Sequence, residues 1–153
     1  MATSGDNSKT ALIDGLNGLL ADHLALYFKT KNFHWHVTGE RFRDLHLLFD
    51  EQAVEIRDQI DAIGERVRKN DAMTLTSLGS AMKHTQIEDQ DDTTLPANKM
   101  VEELRDDNRK LVNRLKELKK HAEEAGDNAT DGLLDDWTDM AEERVWFLNS
   151  TLK

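Results

Sequence analysis

Residues 31–50 read KNFHWHVTGERFRDLHLLFD. Two helical rhythms meet here and are broken by Thr38-Gly39. Upstream, Leu12, Leu16, Leu19, Leu20 and Tyr27, with Leu24 or Leu26 beside them, recur by threes and fours. That spacing predicts a helix from about Ser8 to about Val37. Downstream, Phe42, Leu45, Phe49, Ala53, Ile56, Ile60, Ile63 and Val67 predict a second helix running to about Arg68. A break this short makes the two helices antiparallel neighbours. The window also holds His34, His36 and His46, three of the chain's six histidines, and Asp50 follows His46 by one helical turn.

The next connection is different in kind. Residues 69–96, KNDAMTLTSLGSAMKHTQIEDQDDTTLP, are too many for a hairpin between helices and predict a crossover, with a short helix near Ser80–Thr85. Pro96 suits a helix's first turn. A third helix follows to about Glu124, with Met100, Leu104, Leu111, Leu115 and Leu118 inward. Gly126 suits a helix C-cap. A fourth helix is expected from about Ala129 to Leu152, burying Leu133, Leu134, Trp137, Met140, Val145 and Leu148. Four long helices with one long crossover between the second and third predict an all-α, ferritin-like four-helix bundle with a short extra helix in the crossover. The 153 residues are expected to form one domain, with 1–8 as a short flexible N-terminus.

Composition narrows the chemistry. The chain has one proline and no cysteine, so a metal would be held by histidine and carboxylate. The N-terminus has no basic segment followed by an apolar core, and no apolar run approaches the ~18–20 residues of a membrane span. The expectation is a soluble, cytoplasmic protein with no membrane partner. A net charge of -10 repels nucleic acid and anionic lipid and attracts cations.

The polar residues of the second helix are ordered. With His46 at zero, Asp50 falls at about 40°, Asp61 at about 60° and Glu65 at about 100°, beside an apolar stripe at roughly -100° to -20°. Asp50 and Asp61 are separated by about 16 Å of helix rise, too far for one metal with bonds of about 2 Å. The pairs 46/65 and 50/61 share one midpoint, between Glu55 and Ile56. A two-fold axis there would set His46 opposite Glu65 of a second copy and Asp50 opposite Asp61, giving two identical sites. His34 can join His46 across the short turn. Two imidazoles and three carboxylates suit iron, manganese or zinc rather than calcium or magnesium. The same residues also fit a solvated acidic helix face with ordinary i,i+4 pairs. The spacing alone leaves both readings open.

These residues resemble the Dps family, the mini-ferritins named as DNA-binding proteins from starved cells. The matching pattern is His34-Trp35, Gly39, Phe42, Leu45-His46, Phe49-Asp50 and Asp61-Ala62-Ile63-Gly64-Glu65-Arg66, then Ala125-Gly126-Asp127, Asp131 and Glu142 through Leu148. Gly64 stands where the family often has alanine. The resemblance implies a hollow homododecamer that oxidises Fe(II), preferentially with hydrogen peroxide rather than dioxygen, and stores ferric mineral. It implies a ferroxidase site, with two irons per interface, at a two-fold contact through the second helix. His34, His46 and Asp50 would come from one subunit and Asp61 and Glu65 from the other, with zinc or manganese as substitutes for iron. Trp35 would either intercept stray oxidising equivalents near the site or only pack. Asp127, Asp131, Asp135 and Asp136 would line a three-fold cation pore, although acids at a helix N-terminus also answer the helix dipole. His36 points about 200° from His34 and is left out. His23 is read as structural or surface.

One family feature is missing. The first ten residues hold only Lys9, offset by Asp6, and the basic residues of the third helix alternate with acids. Two other readings remain beside the ferroxidase: a nucleoid protein that shields DNA, and a zinc or manganese bundle without redox work. Phosphate neutralisation needs clustered cations. No strong DNA binding is expected at physiological salt. A gel shift across a salt series checks this, and a salt-insensitive shift at low protein concentration would overturn it.

Overall fold

The computed structural model describes residues 4–153. Its elements are α1 (Ser4–His36), α2 (Phe42–Lys69), α3 (Leu78–His84), α4 (Ala97–Ala125) and α5 (Asn128–Thr151). The fold is the all-α bundle expected, with α3 as the short extra helix. Residues 4–8, expected as part of a flexible N-terminus, belong to α1; residues 1–3 lie outside the described residues. Among the described residues, no helix is long and apolar enough to cross a membrane.

Two hairpins make the bundle. α1 and α2 meet across Val37–Arg41, where Gly39 takes φ 108°. α4 and α5 meet at Gly126, whose left-handed φ of 71° ends α4 with its N–H returned to the Ala122 and Glu123 carbonyls. Arg41, just before α2, donates to the Thr151 carbonyl at 3.1 Å and to Asn98 at the start of α4. At the other end Arg66 of α2 pairs with Asp127 at the start of α5. The N-termini of α2 and α4 therefore share one end of the bundle, and these two helices run parallel. The connection between them must travel the bundle's length, about 42 Å for the 28 residues of α2.

That connection lies along α1, pinned by a row of α1 side chains. Asn17 donates to the Met73 carbonyl at 3.0 Å and Asn32 to the Gln90 carbonyl at 2.9 Å. Between them Asp22, fully buried, accepts from Thr85 Oγ1, from the Gln86 N–H and from Gln86 Nε2, all within 2.9 Å. Arg114 of α4 reaches the same carboxylate at 2.9 Å. It passes over Gly18, where a side chain would collide with the guanidinium. Buried Lys29 donates to the Glu88 carbonyl at 2.9 Å and pairs with Asp107 at 2.8 Å. Burial pushes the Asp107 carboxyl up, and Lys29 opposes that.

The core is close to the expected set, but Phe42 is exposed, and Leu133, Met140 and Val145, expected inside, are only partly buried. Leu12, Leu16, Leu19, Leu45, Phe49, Ile56, Ile63, Leu104, Leu111, Leu115, Leu134 and Leu148 are at most 2% exposed. Phe42, counted in the apolar stripe, is 44% exposed. It sits in the first turn of α2 and lies against His46. A polar patch crosses the middle of the bundle. Arg144, 2% exposed, donates to Asn108 at 2.8 Å and pairs with Glu55. Burial lowers its pKa, and Glu55 opposes the shift.

His23 is structural: it is fully buried between the Leu19 carbonyl at 3.0 Å and the Gln59 amide at 2.8 Å. Burial pulls its pKa down to about 4; the Gln59 hydrogen bond opposes the shift and the Arg144 charge adds to it. The unfolded chain protonates His23 near 6.5, so between pH 6.5 and 4 the unfolded state binds more protons. Stability is therefore full above pH 6.5 and falls as pH drops through that window, by about 3 kcal/mol from this group. Denaturant unfolding at a series of pH values should give a flatter profile for His23→Gln than for the parent.

Candidate metal centre

The end of α1 and the start of α2 are joined through two imidazoles. His34 Nδ1 is 2.6 Å from the His46 carbonyl, and His46 Nδ1 is 2.7 Å from the His34 carbonyl. A carbonyl only accepts, so each Nδ1 carries its proton. In the neutral rings this leaves each Nε2 with a free lone pair. The rings stack with centroids 3.8 Å apart and planes 13° apart. Phe42 stacks on His46 at 5.2 Å. Backbone, stacking and tautomer thus fix two nitrogen donors side by side.

Asp50 stands one turn beyond His46, with Oδ1 3.9 Å from His34 Nε2. The same oxygen accepts from Lys31 Nζ at 2.8 Å. The Lys31 hydrogen bond holds this carboxyl below the usual carboxylate range, against a small opposing effect of burial. Farther along α2, Asp61 and Glu65 are exposed and one turn apart. A hydrogen bond donated to Asp61, and the repulsion of the Asp61 charge, raise the Glu65 pKa.

The α2 helix is continuous from Phe42 to Lys69, so the two groups remain about 16 Å apart along it. Among the described residues, no three histidine or acidic side chains of a single chain converge on a metal-sized point. The structure stacks His34 on His46 with Asp50 Oδ1 3.9 Å from His34 Nε2, short of a closed site, and separately places Asp61 and Glu65 one turn apart. It does not bring all five together within one chain. His36 turns back onto Asn32, at 2.7 Å from its side-chain oxygen and 2.9 Å from its carbonyl.

The expected pore acids divide. Asp127 is the N-cap of α5. It accepts from the Thr130 N–H at 3.1 Å and from the Thr130 hydroxyl, from Asn70 at 3.0 Å and from Arg66 at 2.8 Å. Burial works against its ionisation, but these donors hold the carboxyl far below the usual range. Its oxygens are engaged by the cap within the single chain. Asp131 and Asp135 both clasp Lys119 of α4, Asp135 at 2.7 Å. Those hydrogen bonds raise the Lys119 pKa. Asp136 is exposed. Sequence reading missed Lys31 and Lys119, because a lysine's choice of partner on another helix leaves no periodic trace.

The fold is that of a ferritin-like bundle, and comparison with known proteins agrees. The family model for the ferritin-like domain matches residues 13–153. The chain is 33% identical to the DNA protection during starvation protein of Brevibacillus brevis, over 90% of this chain and 92% of that one. It superposes on the crystal structure of a Dps protein from Bacillus brevis with a TM-score of 0.92 and 31% identity, covering 100% of both chains. A Dps protein from Vibrio cholerae, described as a member of a broad superfamily of ferritin-like diiron-carboxylate proteins, gives a TM-score of 0.90 at 29% identity, over 96% of this chain and 92% of that one. The chain belongs to the Dps family of the ferritin-like superfamily.

Removing the Asp127 cap should be costly. Arg66 is 13% exposed and would lose its charge partner together with the helix cap. Asp127→Ala is expected to lose about 2–4 kcal/mol of stability. Asp127→Asn, which keeps the cap acceptor, should fall between the two. Thermal unfolding of the three proteins tests the order.

Proposed function

We propose that this chain is a ferroxidase and iron store of the Dps type: it takes Fe(II) as substrate, oxidises it with hydrogen peroxide in preference to dioxygen, and holds the ferric product as mineral inside a homododecamer. The observation that carries the reading is the reciprocal His34–His46 link, which exposes two unprotonated Nε2 atoms beside Asp50 on the face of α2 that also bears Asp61 and Glu65. Hydrogen bonding of Nδ1 to a carbonyl is the usual way a protein fixes a histidine ligand. Packing α2 against its own copy about the Glu55–Ile56 midpoint sets Asp61 and Glu65 of the partner subunit against His34, His46 and Asp50. The protein that this makes is cytoplasmic and works without a membrane, with itself as its main partner.

Each member of the set has a role. Anionic oxygens from Asp50, Asp61 and Glu65 favour the higher charge of Fe(III) and so ease oxidation. The two imidazoles hold Fe(II) without adding negative charge. Two ferrous ions held together each give up one electron. The peroxide O–O bond takes both electrons and two protons and leaves as two waters, so no hydroxyl radical is released. The five donors would also accept zinc or manganese, which compete with iron. Asp127, Asp131, Asp135 and Asp136 are the candidates for drawing cations in at the three-fold pore.

The test is anaerobic Fe(II) added to the metal-free assembly, then hydrogen peroxide, with rate and stoichiometry recorded. Oxidation close to two irons per peroxide is expected, together with its loss in the Asp61→Ala/Glu65→Ala double variant, whose exposed side chains leave the fold intact. Oxidation no faster than in buffer would remove the ferroxidase reading.

A further inference from the structure

Lys31 stands on a candidate ligand. Its ammonium is 2.8 Å from Asp50 Oδ1, the oxygen that faces His34 Nε2 at 3.9 Å. The side chain is 22% exposed, so the contact is partly sheltered. The other lysine near the candidate acids, Lys69, is only within 4.0 Å of Glu65, with both side chains more than half exposed. The Lys31 charge sits on the carboxylate oxygen that a cation shared by His34 and Asp50 would need, so the two positive ions compete for it.

A second resting place lies one helical turn away. Lys31 Nζ is already 5.9 Å from the centre of the Trp35 ring, within range of a cation–π attraction. Trp35 is 58% exposed, and Phe28 holds it edge-to-face at 6.3 Å. Its indole is therefore fixed in place without being part of the core. Lys31 can turn from the carboxylate to this ring by side-chain rotation alone, because both project from the same face of α1.

We propose that Lys31 is a displaceable internal cation of the iron site: it occupies Asp50 before loading, withdraws to the face of Trp35 when a divalent ion arrives, and helps to expel the trivalent product. The proposal rests on the five-ligand reading. It adds no chemical step, since electrons and protons move as described above. It changes what binds and what leaves. Competition for Asp50 weakens loading. Repulsion grows in proportion to the ion's charge, so the lysine acts half as strongly again on the ferric product as on the ferrous substrate at the same distance. A centre that hands its product on to a mineral is served by such an asymmetry. Lys31 is a positioning residue here, and Trp35 is its alternative support.

Co(II), which mimics Fe(II) without being oxidised under these conditions, is the probe. It is titrated into the assembled, metal-free parent and into Lys31→Gln, Lys31→Met and Lys31→Arg. Removal of the charge should tighten Co(II) binding by about tenfold, and Lys31→Arg should restore the parent affinity. With Fe(II) and peroxide, the uncharged variants should show a fast first oxidation followed by slower later turnovers, a split that a purely structural role would not produce. If both uncharged variants bind Co(II) no tighter than the parent, while Asp61→Ala still abolishes binding, Lys31 is a spectator and the proposal fails. If Asp61→Ala leaves the parent's Co(II) binding unchanged, the five-ligand reading itself fails and takes the proposal with it.

Discussion

The parallel run of α2 and α4 is the constraint from which the rest follows. Two helices that share a direction cannot be joined by a turn, so residues 70–96 must be laid along the bundle. That segment is rich in polar residues and buries few apolar side chains, Ala81 and Ile87 among them. Asn17, Asp22, Lys29 and Asn32 of α1 hold it instead, each taking a polar group of the crossover. Asp22 is the centre of this row. A fully buried carboxylate is costly unless its oxygens are satisfied, and here a hydroxyl, a backbone N–H, an amide and a guanidinium satisfy them. Because the crossover is fastened to α1, the outward face of α2 with Asp61 and Glu65 is left uncovered.

The reciprocal histidine bonds tie the candidate chemistry to the backbone. Neither ring can change tautomer without giving up a carbonyl of the opposite helix. The approach of α1 to α2 and the availability of Nε2 are thus set by the same two contacts. Phe42 completes the stack from the exposed side.

Much of this was legible in the sequence because it is periodic. The stripes of α2 and α4, the crossover, the Gly126 cap and the grouping of His46, Asp50, Asp61 and Glu65 on one sector all follow from counting residues per turn. What escaped was the buried polar layer. Asp22 and Arg144 read as surface residues by type, although they fall at core spacing, between Leu19 and Leu26 and between Met140 and Leu148. Asp127 was ambiguous for a physical reason: a helix N-terminus welcomes an acid whether or not a pore lies there, and the contacts that Arg66 and Asn70 make with it leave no periodic trace. The partners of Lys31 and Lys119 depend on how helices approach in space, which spacing along one helix does not encode.

The separation of the two ligand groups along an unbroken α2 has a consequence for the newly made chain. On the proposed reading each subunit carries two half-centres and no whole one. A subunit fresh from synthesis is then chemically silent toward iron and peroxide, and competence is gained only on pairing. Oxidation would begin only where a wall already exists to receive the product, so assembly itself acts as the safety catch.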